Sequence, residues 1–170
     1  MGSRRVTLLR HGQAEPIDAC KEDFERALTR RGTIEAEQIA ARIVHRRLVP
    51  DLILVSPAER AWSTAQIVAD ACELEATQLL GERELYLATP ETTWRLLAGR
   101  ADAVRHILIC GHNPGLSQLA SRFGPKPVRR MLPTGGLATA LFHGSSWSTL
   151  QPETAASCEL DDPESASDWT

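Results

Sequence analysis

Short apolar runs alternate with longer amphipathic segments along most of the chain. The apolar runs occupy 6–9, 52–55 and 107–110, and each is followed by polar or turn-forming residues. Continuous apolar runs of this length are typical of strands that are buried on both faces of a parallel sheet. The alternation therefore predicts an α/β fold, a three-layer α/β/α sandwich with a mainly parallel central sheet.

The segments between these strands carry apolar residues at helical spacing. We predict helices over about 33–47, after Pro57 and after Asn113, and a weaker helix that begins near Pro90. Ser56 and Pro57 are residue types that suit an N-cap and a first helical turn. The helical positions expected to face the core are Ala36, Ile39, Ala40, Ile43, Val44, Ala61, Ala65, Val68, Ala69, Cys72, Leu116, Leu119, Ala120 and Phe123.

The C-terminal part of the chain departs from this alternation. Residues 136–142 and 147–150 flank a short Gly-Ser-Ser turn, a pattern that predicts a terminal antiparallel hairpin. From Gln151 onward the chain is rich in Ser, Ala, Asp and Glu, a composition typical of a mobile tail. We therefore expect a single domain over 1–152 and an acidic, mobile tail over 153–170.

Length and cysteine content favour one domain in a reducing compartment. A chain of 170 residues can bury a sizeable core without disulfides or a structural metal. Its four cysteines, at positions 20, 72, 110 and 158, are widely separated and are expected to be reduced thiols. No apolar run has signal-peptide or transmembrane length. We expect a cytoplasmic protein without a membrane partner.

The net charge of −3 is unevenly distributed. Residues 131–170 contain six acidic residues and no Lys or Arg, which leaves a charge of +3 on residues 1–130. A basic body is compatible with an anionic substrate, although the dominance of arginine over lysine can equally reflect genome composition. We expect no nucleic-acid partner.

Four side chains that are cationic or can become so follow the carboxyl ends of the three predicted strands. Arg10 and His11 follow the first strand, Arg60 lies in the first helical turn after the second, and His112 follows the third. Open α/β sheets bind ligands at the carboxyl ends of their strands, so we expect these four side chains to converge.

Two arginines and two histidines suit the transfer of a phosphoryl group. A guanidinium offers a fork of donors that matches phosphate oxygens, and it stays charged at any working pH. Neighbouring arginines lower the pKa of a histidine, which keeps His11 neutral and able to attack phosphorus. Because the positive charge is already present, the reaction needs neither a metal nor another cofactor. The five histidines, none in an HExxH motif, also predict no metal site.

Four ordered motifs resemble those of the histidine phosphatase superfamily, the phosphoglycerate-mutase-like enzymes. They are LRHGQA at 9–14, LTxxG at 28–32, SPxxRAxxTA at 56–65 and GHN at 111–113, and the resemblance covers about residues 5–150. It implies that His11 is the phosphorylated nucleophile and that Arg10, Arg60 and His112 bind the phosphoryl oxygens. Gln13 stands where relatives often have Glu or Asp, and it either lines the pocket or holds the loop.

The spacing of the motifs is similar to that of the SixA branch, the phosphohistidine phosphatases. Only 52 positions separate Arg60 from His112, where mutases and acid phosphatases carry a long insertion that roofs the pocket. The resemblance implies an open groove for a phosphorylated protein, such as a phosphotransfer domain of a signalling pathway or a sugar-transport phosphocarrier. Glu82 and Glu84 are the candidate general acids, on which an imidazole leaving group depends less than an alkoxide does.

Two alternatives to a phosphohistidine phosphatase remain open. The first is a small-molecule phosphomonoesterase that acts on phosphate esters and uses Glu82 or Glu84 as its acid. The second is a non-catalytic phosphate-recognition module, which the presence of both histidines and both arginines disfavours. His45 and His106 are expected to be structural, and residues 133–136 either form a turn or bring backbone amides to the phosphate.

Overall fold

The computed structural model describes residues 2–18, 22–124 and 130–165. Within these residues the centre of the protein is a six-stranded sheet in the order β3-β2-β4-β1-β5-β6. The strands are β1 (Ser3–Arg10), β2 (Leu52–Val55), β3 (Leu79–Gly81), β4 (His106–Gly111), β5 (Leu137–His143) and β6 (Ser157–Asp161). The first four strands are mutually parallel, whereas β5 and β6 are antiparallel to their neighbours. The predicted α/β fold is confirmed.

Helices cover both faces of the sheet. They are α1 (Arg30–His45), α2 (Glu59–Ala71), α3 (Pro90–Ala98) and α4 (Gly115–Ala120). The threonines at 29 and 89 cap α1 and α3, each accepting a main-chain N–H three residues later. Ser56 is not the N-cap that the sequence predicted, because α2 begins only at Glu59, after Ala58.

Successive residues of β1 point into two separate cores. Leu8 packs in one buried cluster with residues of α3 and α4, such as Leu97 and Leu119. Leu9 packs in the other with residues of α1 and α2, such as Ile39. This alternation produces the three layers. Val44, predicted as a core residue, is 42% exposed in the last turn of α1.

The C-terminal hairpin differs from the predicted one. β5 pairs with Ser157–Asp161, not with the segment around Trp147, which forms a short 3₁₀ turn. Trp147 is fully buried in the core, and its indole N–H donates to the oxygen of Val104 at 2.7 Å. Burial of this large side chain in the core, with its polar atom satisfied, explains why the segment folds inward instead of pairing.

Residues 153–165 do not form the mobile tail that the sequence predicted. β6 belongs to the sheet, and the carboxylate of Asp161 forms ion pairs with Arg42 and Arg46. Asp162 pairs with Arg130. The acidic residues that suggested a solvated segment therefore neutralise arginines of the folded domain. Residues 166–170 of the predicted tail lie outside the described residues.

Two further sequence predictions concern the cysteines and the membrane. The cysteines at 72, 110 and 158 are free thiols, and Cys20 lies outside the described residues. None of the helices in the described part of the chain is long and apolar enough to cross a bilayer.

Candidate active site

The neighbouring strands β1 and β4 place two histidines side by side. Arg10 lies opposite Gly111 in the parallel register, so the residues that follow both strands leave the sheet at one edge. The main-chain N–H of His11 donates to Gly111 O at 3.1 Å. The rings of His11 and His112 lie 5.1 Å apart, centre to centre. The sheet therefore brings these two predicted residues together.

Hydrogen bonds determine which nitrogen of the His11 ring carries the proton. Nδ1 lies 2.7 Å from the main-chain oxygen of Gly12, which can only accept, so Nδ1 donates. Nε2 then keeps its lone pair and accepts from Nε of Arg60 at 3.2 Å. Burial, helped by the charges of Arg60 and Arg10, lowers the pKa of His11 to about 4. The ring is neutral near pH 7, and its lone pair lies on Nε2.

Close main-chain packing holds the loop that carries His11. A Cβ atom on Gly12 would lie 2.4 Å from the oxygen of Gly32, and one on Gly32 would lie 2.0 Å from the oxygen of Gln13. The N–H of Gly12 also donates to the hydroxyl of Thr64, which in turn donates to Arg60 O. The glycines and Thr64 thus fix the loop against α1 and α2, and any larger residue at either glycine would push them apart.

Arg60, in the first turn of α2, points its guanidinium at His11. The residue is 3% exposed, and its Nε–H donates to Nε2 of His11. The two terminal nitrogens donate to Asp23, Nη1 to the main-chain oxygen at 2.6 Å and Nη2 to Oδ2 at 2.9 Å. The predicted phosphate ligand is therefore buried, charged and held on both sides.

Asp23 and Tyr86 belong to the site, although the sequence did not single out either one. Oδ2 of Asp23 also accepts from the hydroxyl of Tyr86 at 2.6 Å, and Oδ1 accepts from Nη1 of Arg26 at 2.9 Å. These hydrogen bonds, the one from Tyr86 first, hold the pKa of Asp23 well below its usual range. The same bond raises the pKa of the Tyr86 hydroxyl. No sequence motif marks Asp23, which lies in a polar loop among other charged residues.

Arg10 is half-buried at the end of β1. Its Nη1 donates to the oxygen of Leu132 at 2.9 Å, whereas its buried Nε has no partner among the described residues. Burial lowers the pKa of Arg10, and the carboxylate of Glu35 opposes this shift.

The turn at 133–136 holds the main chain of the site. The N–H of Gly135 donates to the main-chain oxygens of Arg10 and His11. Of the two roles considered for residues 133–136, the structure shows a turn that holds the main chain of the site.

His112 lies 4% exposed on the other side of His11. Its Nε2 is 2.7 Å from the hydroxyl of Ser56, which is thus a partner of the site and not a helix cap. Its buried Nδ1 has no partner among the described residues. Burial, together with His11 and Arg60, lowers the pKa of His112 to about 3. A neutral ring with one unsatisfied nitrogen is suited to contact a ligand.

Gln13 holds the loop. Its side-chain oxygen accepts from the hydroxyl of Thr29 at 2.8 Å, and its main-chain N–H donates to Oε2 of Glu35 at 2.8 Å. Thr29 is the residue that caps α1, so Gln13 ties the loop to that helix. In this conformation the side chain supports the loop instead of lining a pocket.

The two candidate general acids both form ion pairs with arginines. Within the described residues, the carboxylate of Glu82 pairs with Arg100 and that of Glu84 pairs with Arg95. Both arginines lie in α3 or directly after it. Both carboxylates are thus engaged in this conformation, and their role as general acid stays a prediction.

An open cleft of about 340 Å³ borders the segments that carry Asp23 and Arg60. Its lining includes Phe24, next to Asp23, and Pro57, close to Arg60 in sequence, together with Gly81 and Arg83.

His106 lies in β4, and its ring forms hydrogen bonds with Thr7 and Val49. Among the described residues, no group of three or more His, Cys, Asp or Glu side chains could hold a metal ion.

Comparison with known proteins places this geometry in a family. Residues 6–105 match the sequence model of the histidine phosphatase superfamily (branch 1). None of the curated proteins matches the chain in sequence. A solved SixA structure from Agrobacterium tumefaciens, named as a phosphohistidine phosphatase, is 32% identical with a TM-score of 0.72. That match covers 81% of this chain and 90% of the other.

Two more distant structures share the fold. A SixA protein from Nakamurella, also named as a phosphohistidine phosphatase, is 21% identical with a TM-score of 0.79 and covers 96% of this chain and 98% of its own. The protein histidine phosphatase SixA complexed with tungstate is 24% identical with a TM-score of 0.77. That match covers 94% of this chain and 97% of the other. These two similarities extend over nearly the whole chain.

Proposed function

The chain belongs to the histidine phosphatase superfamily and is a phosphatase, and on this premise we propose that it hydrolyses phosphohistidine through a covalent intermediate on His11. The observation that carries the proposal is the state of Nε2. It is unprotonated, buried and 3.2 Å from an arginine N–H, which is where a phosphoryl oxygen would need a donor. The reaction would need no metal.

The proposed reaction has two steps. In the first, the Nε2 lone pair of His11 attacks phosphorus, an N–P bond forms, and the substrate's nitrogen leaves with its electron pair and is protonated from water. In the second, water attacks the phosphoryl group, the N–P bond breaks, and inorganic phosphate leaves. Arg10, Arg60 and His112 would bind the phosphoryl oxygens, and the main-chain oxygen of Gly12 would accept a hydrogen bond from Nδ1–H of His11 throughout.

The preference for phosphohistidine follows from the leaving group. An alkoxide must be protonated as it departs, whereas an imidazole is a better leaving group and depends less on a general acid. Both candidate acids, Glu82 and Glu84, are engaged by arginines. The solved relative at 32% identity carries the phosphohistidine phosphatase name, which supports the same substrate. The partner would be a phosphorylated protein such as a phosphotransfer domain or phosphocarrier.

One observation favours a second candidate, a small-molecule phosphomonoesterase. The cleft lined by Phe24, Pro57, Gly81 and Arg83 is large enough to hold a small organic group, and Arg83 would attract an anionic one. In that case Glu82 or Glu84 would have to release its arginine and donate a proton to the leaving oxygen.

Cytoplasmic location and a role in signal transduction stay predictions, and both accompany the phosphoprotein substrate.

A substrate panel separates the two candidates. Phosphohistidine protein, a phosphoserine peptide, an alkyl phosphate and an aryl phosphate are compared by kcat/KM with the wild type and with Glu82→Gln and Glu84→Gln. We expect phosphohistidine to exceed the alkyl ester by about 100- to 10,000-fold, the range that general acid catalysis supplies, with the aryl ester between them. An alkyl phosphate as best substrate, slowed by either substitution, would establish the phosphomonoesterase instead.

A further inference from the structure

The loop between β1 and α1 reaches across to the arginine of α2. Its two ends are tied together by a bridge between Ala14 and Leu28 and by the N–H of Glu15, which donates to Ala27 O at 2.9 Å. The described residues between these two contacts, 15–18 and 22–27, belong to no strand and no α-helix. A single 3₁₀ turn, Asp23–Glu25, brings Asp23 to Arg60.

Asp23 engages the end of the guanidinium that faces away from His11. Its main-chain oxygen accepts from Nη1 of Arg60, and its Oδ2 accepts from Nη2. Since both terminal nitrogens are engaged, the planar group cannot turn without breaking charge-assisted bonds. The remaining edge, with the Nε–H, is the one directed at Nε2 of His11.

We infer that Asp23 is a positioning residue for the proposed phosphoryl transfer, acting through Arg60. By holding the two terminal nitrogens, it presents the Nε edge of Arg60 at the place where phosphorus bonds to His11. The inference rests on the proposed function for its chemistry. Its geometric part, an arginine oriented by an aspartate of the β1–α1 loop, stands on the contacts alone.

Hydrogen bonds from Tyr86 and Arg26 also hold the carboxylate of Asp23 in place. Tyr86, which follows β3, donates to Oδ2, and Arg26 of the same loop donates to Oδ1. The ring of Tyr86 also stands edge-on to His112, with centres 5.5 Å apart. Two segments that meet Asp23 only in the folded protein, the one after β3 and α2, thus converge on the same carboxylate, and a change in it reaches the site through Arg60.

A role for Asp23 as general acid is inconsistent with these contacts. Its carboxylate accepts from Tyr86, Arg26 and Arg60, and every one of these donors favours the ionised form. A carboxylate that stays ionised has no proton to donate to a leaving group. The Asp23→Asn variant would lose part of this hydrogen bonding. An asparagine has one acceptor oxygen and an NH₂ group, and the NH₂ group would face a donor that the second carboxylate oxygen now accepts from.

The loss of rate caused by a misplaced catalytic contact can be estimated. A displacement of about 1 Å in a positioning contact can cost roughly 100-fold in rate. We therefore expect Asp23→Ala to lower kcat by about 10- to 100-fold, with Asp23→Asn intermediate. Glu25→Ala is the matched control, since it removes an equal charge from the same turn at an exposed position.

A double-mutant cycle distinguishes positioning from general support of the fold. If Asp23 acts through Arg60, Asp23→Ala should change kcat less than about twofold in an Arg60→Ala background, because the shared effect is already lost. Equal losses in both backgrounds would overturn the inference, as would wild-type kcat in Asp23→Ala and Asp23→Asn. Melting temperatures of all variants identify any that fail to fold, and Asp23→Asn, which keeps the side-chain volume, then replaces Asp23→Ala in the cycle.

A readout that needs no turnover separates this inference from the proposed function. The Nε–H proton of Arg60, assigned by its loss in Arg60→Lys, should give a slowly exchanging signal in ¹⁵N-labelled protein. We expect Asp23→Ala to speed its exchange at least about 10-fold and Glu25→Ala to leave it unchanged. Unchanged exchange in Asp23→Ala would contradict the positioning role even in an active enzyme. A wild type that cleaves no phosphohistidine but shows the predicted exchange would contradict only the function.

Discussion

Arg42 and Arg60 are both buried arginines, but their surroundings have opposite consequences. Arg42 donates only to oxygen atoms of the described C-terminal residues, namely the carboxylate of Asp161 and the main chain at 162, 163 and 165. Arg60 donates to Asp23 on one side and to the lone pair of His11 on the other. A guanidinium whose terminal nitrogens all donate to oxygens of the folded chain stabilises the fold, whereas one whose Nε–H points at a neutral imidazole can donate to a phosphoryl group there.

Two histidines provide the same contrast. Burial lowers the pKa of His106 to about 4, as it does for His11. Yet the two ring nitrogens of His106 have only neutral hydrogen-bond partners, the hydroxyl of Thr7 and the oxygen of Val49. A lowered pKa therefore does not by itself indicate a functional histidine. What distinguishes His11 is an unprotonated nitrogen whose neighbour is a cation.

The largest expected effect separates these two histidines. His11→Ala should lower kcat by at least about 10,000-fold, because no other neutral nucleophile can take its place. His106→Asn should leave kcat within about threefold and lower the melting temperature, since it disturbs only a buried hydrogen-bonded position. Steady-state kinetics and thermal unfolding of both variants test the contrast. Substantial turnover by the His11→Ala enzyme would remove the basis for the covalent mechanism.

The next effect separates the two arginines. Arg60→Lys should lose about 100- to 1,000-fold in kcat, nearly as much as Arg60→Ala, because lysine cannot reproduce the planar fork. Arg42→Ala should instead leave kcat within about threefold and cost about 3–5 kcal/mol of unfolding free energy, as the carboxylate of Asp161, only 11% exposed, loses its buried partner. Kinetics and denaturant unfolding measure both quantities. An Arg60→Lys enzyme within threefold of the wild type would contradict the role given to the guanidinium.

How much of this contrast the sequence could predict depends on how local each signal is. The strands β1, β2 and β4 and the convergence of His11, Arg60 and His112 follow from apolar runs and from the motifs after them. β3 and β6 were missed because both are short edge strands with partly exposed, polar or unpatterned residues. Asp23 was missed because its role depends on contacts with α2 and with the segment after β3. Those contacts exist only in the folded chain.

A smaller effect concerns pH. His11 must be unprotonated to attack, so kcat/KM should stay level from about pH 8 to 6 and fall as the pH drops through its pKa of about 4. The folded pKa values of His11, His106 and His112 lie below their ordinary value of 6.5, so the unfolded chain binds more protons in this window. Stability should therefore decrease as the pH falls from about 6.5 to 4.

His106→Asn sharpens the pH test. It should reduce the acid-induced loss of stability, because one buried histidine no longer resists protonation, and it should leave the acid limb of kcat/KM unchanged. Both follow from pH series of kinetics and of thermal unfolding. An acid limb with a midpoint near 6.5 in the wild type would mean that the attacking imidazole is not buried as described.

The smallest expected effect is that of metal removal. EDTA should leave kcat unchanged, because Arg10 and Arg60 already supply the positive charge at the site. Vanadate or tungstate should inhibit competitively in the wild type and far less in Arg60→Ala. Activity assays with and without chelator measure this. Loss of activity that a divalent metal restores would require a metal in the mechanism.

Trapping the intermediate tests the central claim most directly. Wild-type enzyme is mixed with ³²P-labelled phosphohistidine protein and quenched in denaturant within milliseconds. The account predicts a labelled enzyme whose phosphate is stable in base, labile in acid, located on the peptide that contains His11, and absent from His11→Ala. Full turnover with no labelled enzyme at any quench time, or label on another residue, would contradict it.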